Sequence, residues 1–249
     1  MMICQYHSYQ FDLSQPLPVG LIYQPSATAT SAWYCPPTQI SPATIGDWVG
    51  STAKGASVNF NNITFNPHGN GTHTESVAHI VTDAPMLPQI YTQFHHLAQL
   101  ITINPLTLPN GDKVISAAQL QAAYDDNFPN TAVLVRTLPN EDVYKKNKNY
   151  SHTNPAYLLP EAMQWVVDKN IQHFLIDLPS VDREEDGGAL AAHKIFWDYP
   201  RLSRQNCTIT ELFYAPDAIK DGKYLLNLQI APFMNDACPS FPILYPLIP

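Results

Sequence analysis

Charge is scarce in this 249-residue chain: Asp, Glu, Lys and Arg make up 14% of it, with 13 basic against 21 acidic side chains and a net charge of -8. So few cations exclude an extended nucleic-acid surface, because phosphate binding needs clustered Lys and Arg. The one basic cluster, Lys145-Lys146-Asn147-Lys148, reads as a solvated loop. Glycine is also sparse, 10 residues against 23 prolines, which excludes long helical bundles and predicts short elements joined by ordered loops. No apolar run reaches the roughly 18–20 residues of a membrane span, so no membrane partner is expected. The stretch from Met1 to Asp12 lacks the basic start and apolar core of a leader, which makes a cytoplasmic protein the default expectation. The four cysteines, Cys4, Cys35, Cys207 and Cys238, form no C-x-x-C pair. That spacing argues against a thiolate zinc cluster and leaves buried thiols or distant disulfides open.

What is present is apolar residue, 45% of the chain, in a length able to bury roughly 70–75% of its unfolded surface. Without a repeat or a low-complexity linker, residues 1–249 read as one domain. Residues 58–65 alternate apolar and polar around an Asn-Asn break, as a strand pair or bulge would. Strands are expected over 100–103, 132–137, 173–178 and 224–230, the second and third with the continuous apolar character of buried strands. Ser116 and Gln119 form a capping box for a helix to about Asp126, and Pro160 opens a second helix to Asn170. Strands and helices thus mix along the chain, which predicts an α/β or α+β domain with a substantial sheet.

The chemistry concentrates in one segment, Pro67-His68-Gly69-Asn70-Gly71-Thr72-His73-Thr74-Glu75-Ser76-Val77-Ala78-His79. In an extended stretch His73 and Glu75 project from one face, and Gly69 and Gly71 permit a tight turn that returns His68 toward them. Imidazole nitrogen with carboxylate oxygen suits zinc, manganese or iron(II), and three ligands leave room for water. The bland alternative is a set of polar turn residues, since this spacing is less diagnostic than a helical H-E-x-x-H. Downstream, His193 lies in an apolar helical stretch after the acidic loop 182–186, and Glu211 lies between Thr210 and Leu212. By itself His193 reads as a core histidine and Glu211 as the exposed side of a strand. Trp33, Tyr34 and Trp48 read as core aromatics, with a pocket for a planar substrate as the alternative.

The arrangement resembles the cyclase family of metal-dependent hydrolases, which includes bacterial kynurenine formamidase and isatin hydrolase and carries an H-x-G-T-H-x-D-A-P-x-H signature. Gly71-Thr72-His73-Thr74-Glu75-Ser76-Val77-Ala78-His79 reproduces the interval from the second to the last histidine. Phe11 to Leu17, Val133 to Thr137 and Asp177 to Asp182 are similar to the family's opening strand, central strand and the loop before its third metal-binding histidine. His193 and Glu211 then follow in the family's order.

This resemblance implies a swivelling β/β/α-type fold and metal ligands His68, His73, Glu75, His193 and Glu211. Glu75 and Glu211 are the implied bridges between two ions, and His79 the implied general acid/base. It further implies one or two divalent ions, zinc first and manganese second, a small-molecule substrate, and a homodimer or larger homo-oligomer. The implied reaction is hydrolysis of a C–N bond in an amide or cyclic amide. The chain departs from the signature in three places. His68 and His73 are five apart instead of four, Glu75 replaces aspartate, and Ser76-Val77 replaces Ala-Pro. A binding protein that kept the fold and lost the chemistry is the second reading, and a metal-dependent lyase or isomerase the third.

Overall fold

In the computed structural model, which describes residues 2–248 and Val143 by its backbone alone, seven strands close into a barrel. They are β1 (His73–Glu75), β2 (His95–Ile103), β3 (Ala132–Thr137), β4 (His173–Ile176), β5 (Thr208–Glu211), β6 (Gly222–Ile230) and β7 (Ala237–Pro246). Around the barrel the order is β6-β2-β3-β4-β5-β1-β7, and β7 pairs again with β6. Strands β2 to β5 run parallel to one another, while β1, β6 and β7 are joined by antiparallel pairings. The short strand Leu17–Pro18 lies beside β7.

The apolar runs identified in the sequence are strands buried on both faces. In β3, Leu134 packs inside the barrel with Leu100, Leu175, Leu226 and Leu244. Val133 and Val135 face the other way, into a second core with Phe174, Ile176 and Ile209. That outer core is covered by helices α1 (Ala117–Ala123), α2 (Pro160–Asp168) and α3 (Ala191–Phe196), through Leu120, Met163, Val166 and Phe196. Each such side chain contributes about 1.5–3 kcal/mol by leaving water. The barrel interior is therefore solid, and any site must lie outside it.

Element ends differ from the sequence expectation where tertiary partners compete. α1 starts on its Ser116–Gln119 capping box but stops at Ala123, because the Asp125 amide donates to Gln99 Oε1 at 3.0 Å. β4 ends at Ile176, and the Asp177 carboxylate instead accepts the amide and hydroxyl of Thr137. β2 begins five residues before Leu100, held through His95 and His96 by Asn227 and Leu226. β7 carries Pro239, Pro242 and Pro246, residues that disfavour strands, and still closes the barrel.

Three readings need correction. Residues 58–65 contain one strand, Asn61–Thr64, which pairs with Gln39–Pro42 in a hairpin exposed on both faces, so their alternation marks no core face. The basic run is not a solvated loop: Asp142–Lys146 is helical, and Lys145 is buried with its Nζ donating to Asp177 and Thr137. Tyr34 and Trp48 are exposed, not core. All four cysteines are free. Among the described residues no helix is long and apolar enough to cross a membrane.

Candidate metal centre

β1 is only three residues long, wedged between β5 and β7, and its register builds the site. Glu211 stands opposite His73, and Ile209 opposite Glu75. Thr74 and Thr210 turn inward and share a 2.7 Å hydroxyl contact. His73, Glu75 and Glu211 consequently project outward, toward the helix layer, where α3 supplies His193.

His68 arrives from a helical turn, Pro67–Asn70, whose start is capped by the Asn66 side chain accepting the His68 amide at 2.9 Å. This turn, rather than a glycine hinge, returns His68 to the strand. Gly71 has an extended backbone, φ 170°. Its lack of a side chain matters for packing: a Cβ there would lie 2.6 Å from the Tyr23 ring. Thr72 ties the segment down, its hydroxyl accepting the Leu21 amide and donating to the Leu212 carbonyl, both at 2.6 Å. Leu212, directly after Glu211, holds a left-handed φ of 55°, which costs a non-glycine residue roughly 1 kcal/mol.

Each of three histidines has one ring nitrogen held from behind. His73 Nδ1 donates to the Gly71 carbonyl at 3.1 Å, His193 Nδ1 to Asp182 Oδ2 at 2.6 Å, and His68 Nε2 to Asp236 Oδ2 at 3.0 Å. The forward nitrogens all face carboxylates: His73 Nε2 lies 3.4 Å from Glu211, His193 Nε2 3.0 Å from Glu75, and His68 Nδ1 3.4 Å from Glu75. Glu211 is oriented in turn by the Val181 amide at 3.1 Å. Rear acceptors of this kind set the tautomer and aim of metal-binding imidazoles.

Two forward atoms, His73 Nε2 and Glu75 Oε2, are buried and have no hydrogen-bond partner. A buried polar atom left unpaired costs about 1–3 kcal/mol, so these two atoms are poised to ligate a cation. The donors are imidazole nitrogens and carboxylate oxygens that converge: His68, His73 and Glu75 place ligand atoms within 4.8 Å of one another, as do Glu75, His79 and His193. A divalent cation of the borderline class fits this donor set.

The electrostatics agree. Burial works against a charged His193, yet its contacts with Asp182 and Glu75 push it up to about 10. Burial likewise opposes a charged His68, and Asp236 and Glu75 raise it to about 10. Despite complete burial, His79 and His193 hold the Glu75 carboxyl well below its usual range. His68 and His79 keep Asp236 ionised in the same way. Negative charge is thus stored at the centre and balanced by imidazolium protons that a cation can replace.

All six residues singled out in the sequence meet here. His193 is buried beside Glu75 and Asp182, and Glu211 is buried rather than on the exposed side of a strand. His79 stands at the rim, its Nδ1 donating to Asp236 at 3.2 Å. The cluster opens into a cavity of about 320 Å³ lined by His68, His79, His193, Glu211, Trp33 and Leu190. Trp33 is half-buried at that wall, the pocket alternative for this residue. Asp236 escaped the sequence reading because nothing near it in the chain marks it. Asp182 carried a weak signal, an acidic residue in the loop before the His193 helix.

A family model described as Putative cyclase matches residues 11–183, a span that includes His68, His73, Glu75 and His79 and ends before His193 and Glu211. No curated protein matches the sequence. Among solved structures, the fold is similar to one described as a potential metal-dependent hydrolase with cyclase activity, at TM-score 0.65 and 18% identity, covering 94% of this chain and 99% of that one. It is similar to isatin hydrolase A from Ralstonia solanacearum, at TM-score 0.63 and 15% identity over 94% and 92% of the two chains. Isatin hydrolase A from Labrenzia aggregata, bound to benzyl benzoate, gives TM-score 0.62 and 14% identity over 93% of each. The mixed α/β architecture is the one these structures share.

Proposed function

The chain belongs to the putative cyclase family, and from that footing we propose that it is a metal-dependent hydrolase cleaving the C–N bond of an amide or cyclic amide. The observation that carries this reading is the pair of buried, partnerless atoms, His73 Nε2 and Glu75 Oε2, beside a cavity roomy enough for a small substrate. His68, His73, Glu75, His193 and Glu211 would hold the metal, zinc or manganese, as one or two ions. When bound, such an ion supplies Lewis acidity and acidifies a water molecule at neutral pH.

The chain's own groups do the rest. His73 is held as the tautomer whose Nε2 carries a lone pair, because its Nδ1 hydrogen goes to the Gly71 carbonyl. Asp182 aims His193 and the Val181 amide aims Glu211, so that little reorganisation is needed during reaction. With Nδ1 engaged by Asp236, His79 offers Nε2 for proton transfer to the leaving nitrogen. Trp33 and Leu190 supply an apolar wall suited to a planar acyl group.

Metal analysis of the purified protein, combined with an amide and cyclic-amide panel in labelled water, tests the proposal. Near-stoichiometric zinc or manganese, with solvent oxygen entering the product, is the expected result. Metal-free protein that binds a small ligand would replace this reading with a binding module, and turnover without solvent incorporation would replace it with a lyase or isomerase. We also propose a homodimer or larger homo-oligomer, supported by the exposed Ile40, Ile45, Trp48, Phe60 and Ile63 on the hairpins of residues 39–64.

A further inference from the structure

A second cleft, sharing no lining residue with the histidine cavity, opens beyond the carboxyl ends of β3 and β4. Its volume is about 230 Å³, below the roughly 300–1,000 Å³ of sites for drug-sized ligands. Three lysines line it: Lys113, Lys145 and Lys148. Lys145 and Lys148 come from one basic run, and Lys113 joins them from a remote part of the chain.

The three lysines differ in role. Lys145 is buried, and its Nζ donates to Asp177 Oδ2 at 2.9 Å and Thr137 Oγ1 at 2.7 Å. An ammonium has three hydrogens, so one remains for a further acceptor. Asp177 also accepts the amide and hydroxyl of Thr137, which fixes the carboxylate as a support for Lys145. Lys113 and Lys148 have no carboxylate within 4.0 Å among the described residues, whereas Lys146, Lys169 and Lys223 each have one. Lys148 is held in place instead, 4.4 Å from the Tyr144 ring centre and 4.6 Å from that of Tyr150, and it donates to the Tyr144 hydroxyl at 3.1 Å. An ammonium ordered by aromatic faces rather than by an acid keeps its charge available to a ligand.

The Tyr144 hydroxyl is drawn below its ordinary value by the Lys148 hydrogen bond first, and then by the charges of Lys148, Lys113 and Lys145. A phenol is stabilised as an anion there for the same reason that a ligand oxygen would be.

We propose that this cleft is a binding site for a small multiply charged oxyanion, a phosphate or a short dicarboxylate, separate from the metal centre. The buried Lys145 forms the floor, Lys113 and Lys148 close on the ligand from the rim, and the Tyr144 hydroxyl adds a donor. Charge-assisted contacts of this kind are about twice as strong as neutral ones. The cleft's volume suits inorganic phosphate, a small phosphate ester or a dicarboxylate.

Isothermal titration with inorganic phosphate and with succinate, at constant ionic strength, tests the site on three proteins: the unaltered chain, Lys113→Ala/Lys148→Ala, and His73→Ala. Saturable binding of at least one probe is expected for the unaltered chain and for His73→Ala. Binding about tenfold weaker or worse is expected for the double lysine variant, the effect of removing two charge-assisted contacts. Both lysines lie at the rim of the cleft, and circular dichroism checks that the variant keeps its fold; Lys113→Gln/Lys148→Gln replaces it otherwise. The proposal is overturned if neither probe saturates, if the lysine variants bind undiminished, or if His73→Ala removes the binding.

Discussion

Asp182 accepts hydrogen bonds from three donors of the same helix: the amides of Ala192 and His193, and at 2.6 Å the Nδ1 of His193 itself. One carboxylate therefore sets both the start of α3 and the direction of His193, whose Nε2 lies 3.0 Å from Glu75. Asp182→Asn keeps the shape but loses the charge that holds this tautomer. Metal affinity is expected to fall about 10–100-fold, the usual effect of removing such a support. Titration calorimetry with zinc reads this directly, and unchanged affinity would remove His193 from the ligand set.

His79 meets the cavity from the rim rather than from the centre. His79→Ala is expected to retain metal while lowering turnover by about 10²–10⁴, the range for loss of a general acid or base. Metal content and kcat measured on the same sample separate the two roles. Loss of metal would make His79 a ligand.

Metal loading should release protons. His68 and His193 are both pushed up to about 10, so each carries a proton at neutral pH that a cation must displace. Affinity is expected to rise with pH from neutrality toward about 10, then level off. Calorimetry in two buffers of different ionisation enthalpy counts the protons, and a buffer-independent enthalpy would contradict the prediction.

The far end of the barrel holds a different pair. His96 and His173 are buried with ring centres 4.0 Å apart. Burial lowers His96 to about 4, and burial with the neighbouring ring lowers His173 well below its ordinary value. Both folded values lie below the unfolded value near 6.5, so the unfolded chain takes up these protons first. Stability is complete above about 6.5 and is lost as pH falls from there toward about 4, by roughly 3 kcal/mol for His96 alone. Urea midpoints across that interval, compared with those of His96→Gln, measure the effect. A flat profile would show that the pair does not titrate on unfolding.

The hairpins of residues 39–64 expose Ile40, Ile45, Trp48, Phe60 and Ile63, an apolar patch of the kind that marks a protein–protein contact. Light scattering is expected to give a dimer or larger assembly. Trp48→Ser/Phe60→Ser/Ile63→Ser should shift it toward monomer, and a monomer in the unaltered chain would set the proposed assembly aside.

How much was legible in the sequence follows the range of the physical signal. The burial of β3 on both faces is written in Ala132 to Val135, because continuous apolar character is a local property. So are the capping box at Ser116 and the shared face of His73 and Glu75, which follow from backbone periodicity. The meeting of His193 and Glu211 with the His73 segment is not local: in its own stretch of chain each reads as a core or surface residue, and strand register brings them together. Asp236 was invisible, being distant in sequence from both histidines it binds, and the strand that follows it carries three prolines.

Residue types and short spacings determined a mixed fold and the chemical character of the His68 to His79 segment. Tertiary structure decided that the barrel interior is solid and that the histidine–carboxylate cluster sits on its outer face. It also decided that Asp182, Asp236 and the Gly71 carbonyl stand behind the three imidazoles, and that Lys145 is buried against Asp177. The reason is common to all of these: hydrogen-bond partners and charge neighbours are set by strand register and closure, which join residues that the chain keeps far apart.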